Sequence, residues 1–125
     1  MDSETAQALE GAPFRLPDEL SPVELVAKYF RTLGDPTRLR ILELVNEQER
    51  SVGEIVETLG LQQSKVSNHL ACLRWCGFVT TRREHRTVYY SVADPRVAGL
   101  IATGRALLAD NAEHVAACRR VGAPC

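Results

Sequence analysis

From Ser21 onward, stretches with apolar residues at every third and fourth position alternate with short breaks. That period lines one face of a helix. Val23, Val26, Ala27, Phe30 and Leu33 form the first stripe. Ser21-Pro22-Val23-Glu24 opens it with an N-cap serine, a proline where no N–H is needed and a glutamate placed to close a capping box. Gly34 ends this helix. Asp35-Pro36 starts the next by the same logic, with Leu39, Leu42 and Val45 or Leu44 as its stripe. Ser51-Val52-Gly53-Glu54 is a second capping box. It opens a short helix carrying Val52, Ile55, Val56 and Leu59, which stops at Gly60. A further helix over 62–76 follows almost without linker, and two short helices around a glycine turn make a helix-turn-helix.

Beyond Gly77 the period changes. Phe78-Val79-Thr80-Thr81-Arg82-Arg83 and Thr87-Val88-Tyr89-Tyr90-Ser91-Val92 are β-branched and aromatic, with Glu84-His85-Arg86 between them. They predict a β-hairpin with a basic tip. A helix-turn-helix followed by such a hairpin is a winged helix, so the expected fold is mainly α with a β-hairpin wing. Asp94-Pro95 caps a last helix, expected from about 95 to 118. Its stripe is Val97, Leu100, Ile101, Gly104, Leu107 and Leu108. The preceding helices already supply a core. The stripe is therefore expected to pack on a second copy, giving a homodimer through the first and last helices. Packing within its own subunit is the alternative. Residues 1–20 carry Gly11, Pro13 and Pro17 without sustained period and read as an arm. Residues 21–118 read as one domain, and 119–125 as a tail.

A length of 125 residues, 45% hydrophobic and 25% charged, suits one globular domain. No apolar run approaches the roughly 20 residues that span a bilayer. The stretch from Met1 to Phe14 is acidic and lacks a basic, apolar signal, so a cytoplasmic protein without a membrane partner is expected. The net charge of −1 gives no global sign of a nucleic-acid partner. The distribution does. Residues 1–20 hold five acids and one arginine, whereas 62–86 hold Lys65, Arg74, Arg82, Arg83 and Arg86 against Glu84. A local basic segment in a neutral chain suggests one face made for phosphates. There is no Walker loop, no GxSxG and no HExxH, so the common enzyme motifs are missing.

Within 62–76, Val66, Leu70 and Leu73 fall within about 40° of one direction when residues are placed about 100° apart. Gln63, Ser64, Ser67, Asn68 and Ala71 fall on the other side. Small, polar, hydrogen-bonding residues are what a major-groove surface requires, although a solvated face would look the same on any single helix. Gln63, Ser64, Ser67 and Asn68, with His69 at the edge, are expected to meet base edges of double-stranded operator DNA. Lys65, Arg82, Arg83 and Arg86 are expected to anchor phosphates. Two-fold symmetry would require an inverted repeat, with half-sites a helical turn or a multiple apart.

These residues resemble the ArsR/SmtB family of small dimeric winged-helix repressors. The resemblance rests on Leu33-Gly34-Asp35-Pro36-Thr37-Arg38-Leu39-Arg40-Ile41-Leu42 and on Gln63-Ser64-Lys65-Val66-Ser67-Asn68-His69-Leu70. It continues through Leu73-Arg74, Gly77-Phe78-Val79 and Arg86-Thr87-Val88-Tyr89-Tyr90, and covers about 23–110. It implies a homodimer that binds an operator and is released by an inducer, often a metal. One subgroup places Cys-x-Cys on the helix before the recognition helix; here Ser51-Val52-Gly53-Glu54 stands in that region. Another uses an Asp and a His at the start of the last helix; here Asp94-Pro95-Arg96-Val97 puts arginine in place of that histidine. The mycobacterial cadmium/lead sensors use Cys-x3-Cys at the end of the recognition helix plus a cysteine from the C-terminal tail. Cys72 and Cys76 match the pair, and Cys118 lies near the separation the third ligand requires. Actinobacterial mercury-resistance repressors are similar as well.

The chemistry agrees with that resemblance. Cys72 and Cys76, at i and i+4, put two thiols on one helix face a turn apart. His69 shares their stripe and is a further candidate ligand. Two thiolates leave a large ion undercoordinated, and Cys118 or Cys125 is available as the third. Thiolate ligation selects soft ions such as Hg, Cd or Pb over hard ones, and Zn prefers four ligands. Hg is the preferred reading. A redox- or organic-ligand-sensing repressor on the same fold is an alternative, as is a Cys-lined packing seam. A thiol redox enzyme is remote, because Cys76 sits at a helix C-terminus, where the dipole opposes a thiolate.

Overall fold

A computed structural model describes residues 20–118. Four helices come first: α1 (Pro22–Leu33), α2 (Pro36–Glu47), α3 (Val52–Leu59) and α4 (Gln63–Trp75). A two-residue strand, β1 (Arg50–Ser51), precedes α3. The wing strands β2 (Val79–Glu84) and β3 (Thr87–Val92) follow α4, and the chain continues through α5 (Pro95–Ala109) and α6 (Ala112–Ala117). The expected arm, apart from Leu20, and the tail at 119–125 lie outside the described residues.

The starts of the helices are chemical. Both capping boxes close: the hydroxyls of Ser21 and Ser51 accept from the N–H groups of Glu24 and Glu54, whose carboxylates accept from the serine N–H groups. Asp35 and Asp94 cap α2 and α5 through the N–H groups of Arg38 and Arg96. The Arg96 guanidinium, with the same backbone bond, also holds the Asp94 carboxyl down to about 2. Gly60 ends α3 at φ +66°, and Gly77 separates α4 from the wing at φ +81°. A Cβ added at Gly77 would meet nothing within 4 Å, so only the left-handed backbone opposes a side chain there. Gly77→Ala is expected to cost about 1–2 kcal/mol. It should lower Tm by several degrees in a thermal melt, at about 4–8 °C per kcal/mol for a domain of this size; an unchanged Tm would contradict the assignment.

The three strands form an antiparallel sheet in the order β1-β3-β2. Val79 pairs with Val92 and Glu84 with Thr87, so the hairpin turns on His85 and Arg86 alone. Arg50 and Ser51 pair with Tyr90 and Tyr89, a strand the sequence did not announce. Two residues are too few to show a period of two, and Ser51 already serves as the cap of α3.

The core is made by Ile41, Leu42 and Val45 of α2, Ile55 of α3, and Val66, Leu70 and Leu73 of α4. Leu33, Phe78, Val79 and Val97 complete it. Tyr29 packs its ring on Phe78 at 4.3 Å between centroids. Two expectations about the last helix need correction. It is not continuous to 118. Asn111 donates from its side chain to the Leu107 carbonyl at 3.0 Å and from its backbone to Leu108 at 2.8 Å, and the helix breaks there before α6. Asparagine side chains compete with the helical ladder in this way. Nor is the whole stripe left over for a partner. Val97 is buried in its own subunit, and Leu100 and Ile101 are half-buried against the same core. From Ala102 to Cys118 every described residue is exposed, Leu107, Leu108 and Val115 included. Val23, Val26 and Phe30 of α1 are exposed as well.

Candidate nucleic-acid interface and thiol pair

Helix α4 is divided as its sequence period requires. Val66, Leu70 and Leu73 are buried, while Gln63, Ser64, Lys65, Ser67, Asn68 and Ala71 are exposed. The structure therefore brings five of the expected DNA-facing residues onto one solvent-facing side of a helix fixed by its opposite side. Lys65 makes no ion pair among the described residues.

The wing treats its arginines differently. Arg82 donates from Nε to Glu49 at 3.1 Å and from Nη1 to Glu84 at 3.3 Å, and its guanidinium lies 4.9 Å from the centre of the Tyr89 ring. The arginine holds the Glu49 carboxyl below its ordinary range, and the two carboxylates make Arg82 more basic still. Arg82 is thus committed to its own chain and ties the wing to the end of α2. Arg83 donates to the His85 carbonyl at 3.2 Å, which shapes the turn; His85 itself has φ +56°. Arg86 is exposed at the tip and has no ion pair among the described residues.

On another flank of α4, Cys72 and Cys76 are half-buried. The Thr32 hydroxyl donates to the Lys28 carbonyl at 3.2 Å, which leaves its oxygen to accept from the Cys76 thiol 3.5 Å away. Burial pushes the Cys72 thiol up, and the adjacent Cys76 adds to this, against the opposing charges of Arg38 and Lys28. Arg38 is the hub of the flank. Its Nε donates to His69 Nδ1 at 3.1 Å, and its Nη1 donates to the Thr32 carbonyl at 3.3 Å. Its backbone N–H donates to Asp35 at 3.1 Å. Burial raises the Asp35 carboxyl, but that N–H, the nearby His69 ring, the Thr37 N–H and the Arg38 charge together bring it below its ordinary value.

Arginine only donates, so His69 Nδ1 is the acceptor in this contact. His69 is half-buried and turned to Arg38. Cys118 is exposed at the end of α6, and Cys125 lies outside the described residues. Among the described residues no group of three His, Cys, Asp or Glu side chains is close enough to hold an ion. The described residues of one subunit thus assemble the thiol pair without a third ligand.

Residues 35–81 match the bacterial regulatory proteins of the arsR family. Over 98 residues the chain is 46% identical to the probable mercury resistance operon repressor of Streptomyces lividans, with 78% of each chain covered. The chain belongs to the ArsR family. It resembles two solved ArsR-type structures in particular. One is the homodimeric winged helix-turn-helix DNA-binding domain Mb0332 of Mycobacterium bovis, at 30% identity and TM-score 0.66, covering 80% of this chain and 92% of that one. The other is the cadmium metal-sensor CMTR of Mycobacterium tuberculosis, at 45% identity and TM-score 0.52, covering 58% of this chain and 75% of that one. As an ArsR-family protein this chain is a DNA-binding transcriptional regulator and not an enzyme, which disposes of the thiol redox enzyme.

Proposed function

We propose that the protein is a homodimeric repressor of a metal-resistance operon, released from an inverted-repeat operator by a soft thiophilic ion, with Hg preferred and Cd or Pb close behind. The observation that carries this reading is the Cys72–Cys76 pair, half-buried on one flank of the helix whose polar side is exposed. The donor set fits such an ion in kind, since thiolates select soft metals. Among the described residues it lacks a third member, which comes from Cys118, or from Cys125, of the same or the partner subunit. The relatives support the inducer class: one is named for mercury resistance, another for cadmium sensing. Gln63, Ser64, Ser67 and Asn68 read bases; Lys65, Arg83 and Arg86 contact phosphates. Arg82 would add a contact only after exchanging Glu49 and Glu84 for phosphate. His69 acts through Arg38 rather than as a ligand. A 21–118 domain with an acidic arm and a short tail, working in the cytoplasm, completes the proposal.

The test is a titration of the reduced full-length protein with Hg, Cd, Pb and Zn, following ultraviolet thiolate–metal absorbance and operator binding together. Stoichiometric bands with DNA release support the reading. Reversible thiol loss with release in the absence of metal would favour the redox-sensing alternative and overturn it. The raised Cys72 thiol adds a pH dependence. A thiol must lose its proton to bind, and the Cys72 thiol holds its proton to higher pH than an ordinary cysteine. Apparent Cd affinity should therefore rise with pH through neutrality, by about tenfold per pH unit for each proton displaced. Affinity independent of pH between 6 and 8, about two units below and around the ordinary thiol range, would argue against thiol ligation.

A further inference from the structure

On the flank of α4 away from the thiols, Ser67, Ala71, Arg74 and Trp75 of the helix and Tyr90 of β3 line an open groove of about 530 Å³. Ser67, Ala71 and Arg74 follow one another at four- and three-residue steps, so the groove continues the helix side already assigned to DNA. No carboxylate lines it. Arg74 is exposed and has no ion pair among the described residues. Ser67, Arg74 and Tyr90 all offer hydrogen-bond donors.

We propose that this groove seats the sugar-phosphate backbone of one operator strand, with Arg74 as a phosphate contact and Tyr90 as a second donor. The proposal rests on the DNA reading above and extends it to residues outside the recognition set. The occupant follows from the chemistry. One cation, Arg74, with the hydroxyls of Ser67 and Tyr90 and no acid, set beside the apolar Ala71 and Trp75, suits a sugar-phosphate strand, whose phosphate oxygens only accept. Its rim residue Ser67 also faces the major groove, so a strand flanking the recognition helix would pass through it. Backbone contacts position a protein without reading sequence, so Arg74 should affect all duplexes alike.

The experiment uses the full-length, metal-free protein with an operator duplex selected from random DNA and with an unrelated duplex, across a salt series. Arg74→Gln should weaken both duplexes by a similar factor. It should reduce the slope of log affinity against log salt by about two, one phosphate per half-site of a dimer. Arg74→Lys should restore most of the slope, which a merely unfolded variant would not allow. An Arg74→Gln slope equal to wild type overturns the proposal, as does a change in sequence preference without a change in slope. Asn68→Ala in the same assay separates the two readings. If Asn68→Ala leaves preference unchanged while Arg74→Gln lowers the slope, the base-reading assignment fails and the groove stands.

Discussion

Replacing Phe30 and Leu107 with glutamate should leave a folded monomer that no longer binds operator DNA. Phe30 is 51% exposed and Leu107 65% exposed, and both belong to apolar helix faces left open among the described residues. Val23 and Val26 continue the first face, and Leu108 and Val115 the second. Exposed apolar faces mark interaction sites, and the homodimeric relative and symmetry both point to a second copy. Burying a Phe or Leu side chain is worth about 1.5–3 kcal/mol. The double variant changes four side chains per dimer, so it should weaken dimerisation by at least about 6 kcal/mol, more than four decades in Kd. A half-site alone cannot hold two recognition helices at a fixed spacing, so operator affinity falls with the dimer. Leu100 is the wrong place for this test. It packs on its own core, and a charge there would unfold the subunit. Sedimentation at micromolar concentration with a retained thermal transition checks the prediction; a wild type that is wholly monomeric there would refute it.

The winged helix was legible because its signals are local. Two capping boxes, two Asp-Pro starts and the left-handed glycines at 60 and 77 are written within three or four residues each. The core face of α4 followed from Val66, Leu70 and Leu73 because a helix that closes a small domain must bury one stripe. What was not legible depends on contacts between elements. The division of the last helix between its own core and open solvent is invisible to a periodic stripe, since Val97 and Leu107 look alike in sequence. The commitment of Arg82 to Glu49 joins positions 33 residues apart, so counting basic residues in the wing overstated the charge it offers to phosphate. Arg38 stands in the family motif, yet nothing in its neighbours announces that it joins Thr32 and His69 across three helices. The thiol pair itself was read from its spacing. Its third ligand was not, because no third donor stands close to the pair among the described residues.

The Cys72→Ser/Cys76→Ser double variant should bind operator as the metal-free wild type does and fail to respond to Hg. Both side chains are half-buried on the flank away from the groove, so isosteric serines should leave the DNA-facing side in place. Their surroundings explain how thiol chemistry could reach DNA binding. Cys76 contacts Thr32 at the end of α1, and Arg38 joins the Thr32 carbonyl to His69 on α4. The thiols therefore sit at the joint between α1, whose apolar face is exposed, and α4, the helix proposed to read bases. Recruiting Cys72 and Cys76 as thiolates, with a third from beyond the pair, would break the Cys76–Thr32 bond and pull on that joint. Two recognition helices must fit grooves at a fixed separation, so a small change of tilt in each is costly. Couplings of this kind are commonly about 1–3 kcal/mol, while nearly complete release, from 99:1 to 1:99, needs about 5.5 kcal/mol. By reciprocity operator DNA must weaken Hg binding by the same factor. Cys118→Ser should lose the response or change metal selectivity, and Cys125→Ser should matter less, which ranks the two as third ligand. Anisotropy of a labelled operator, with and without one equivalent of Hg, reads all four proteins. Full Hg-induced release in the double variant would refute the mechanism.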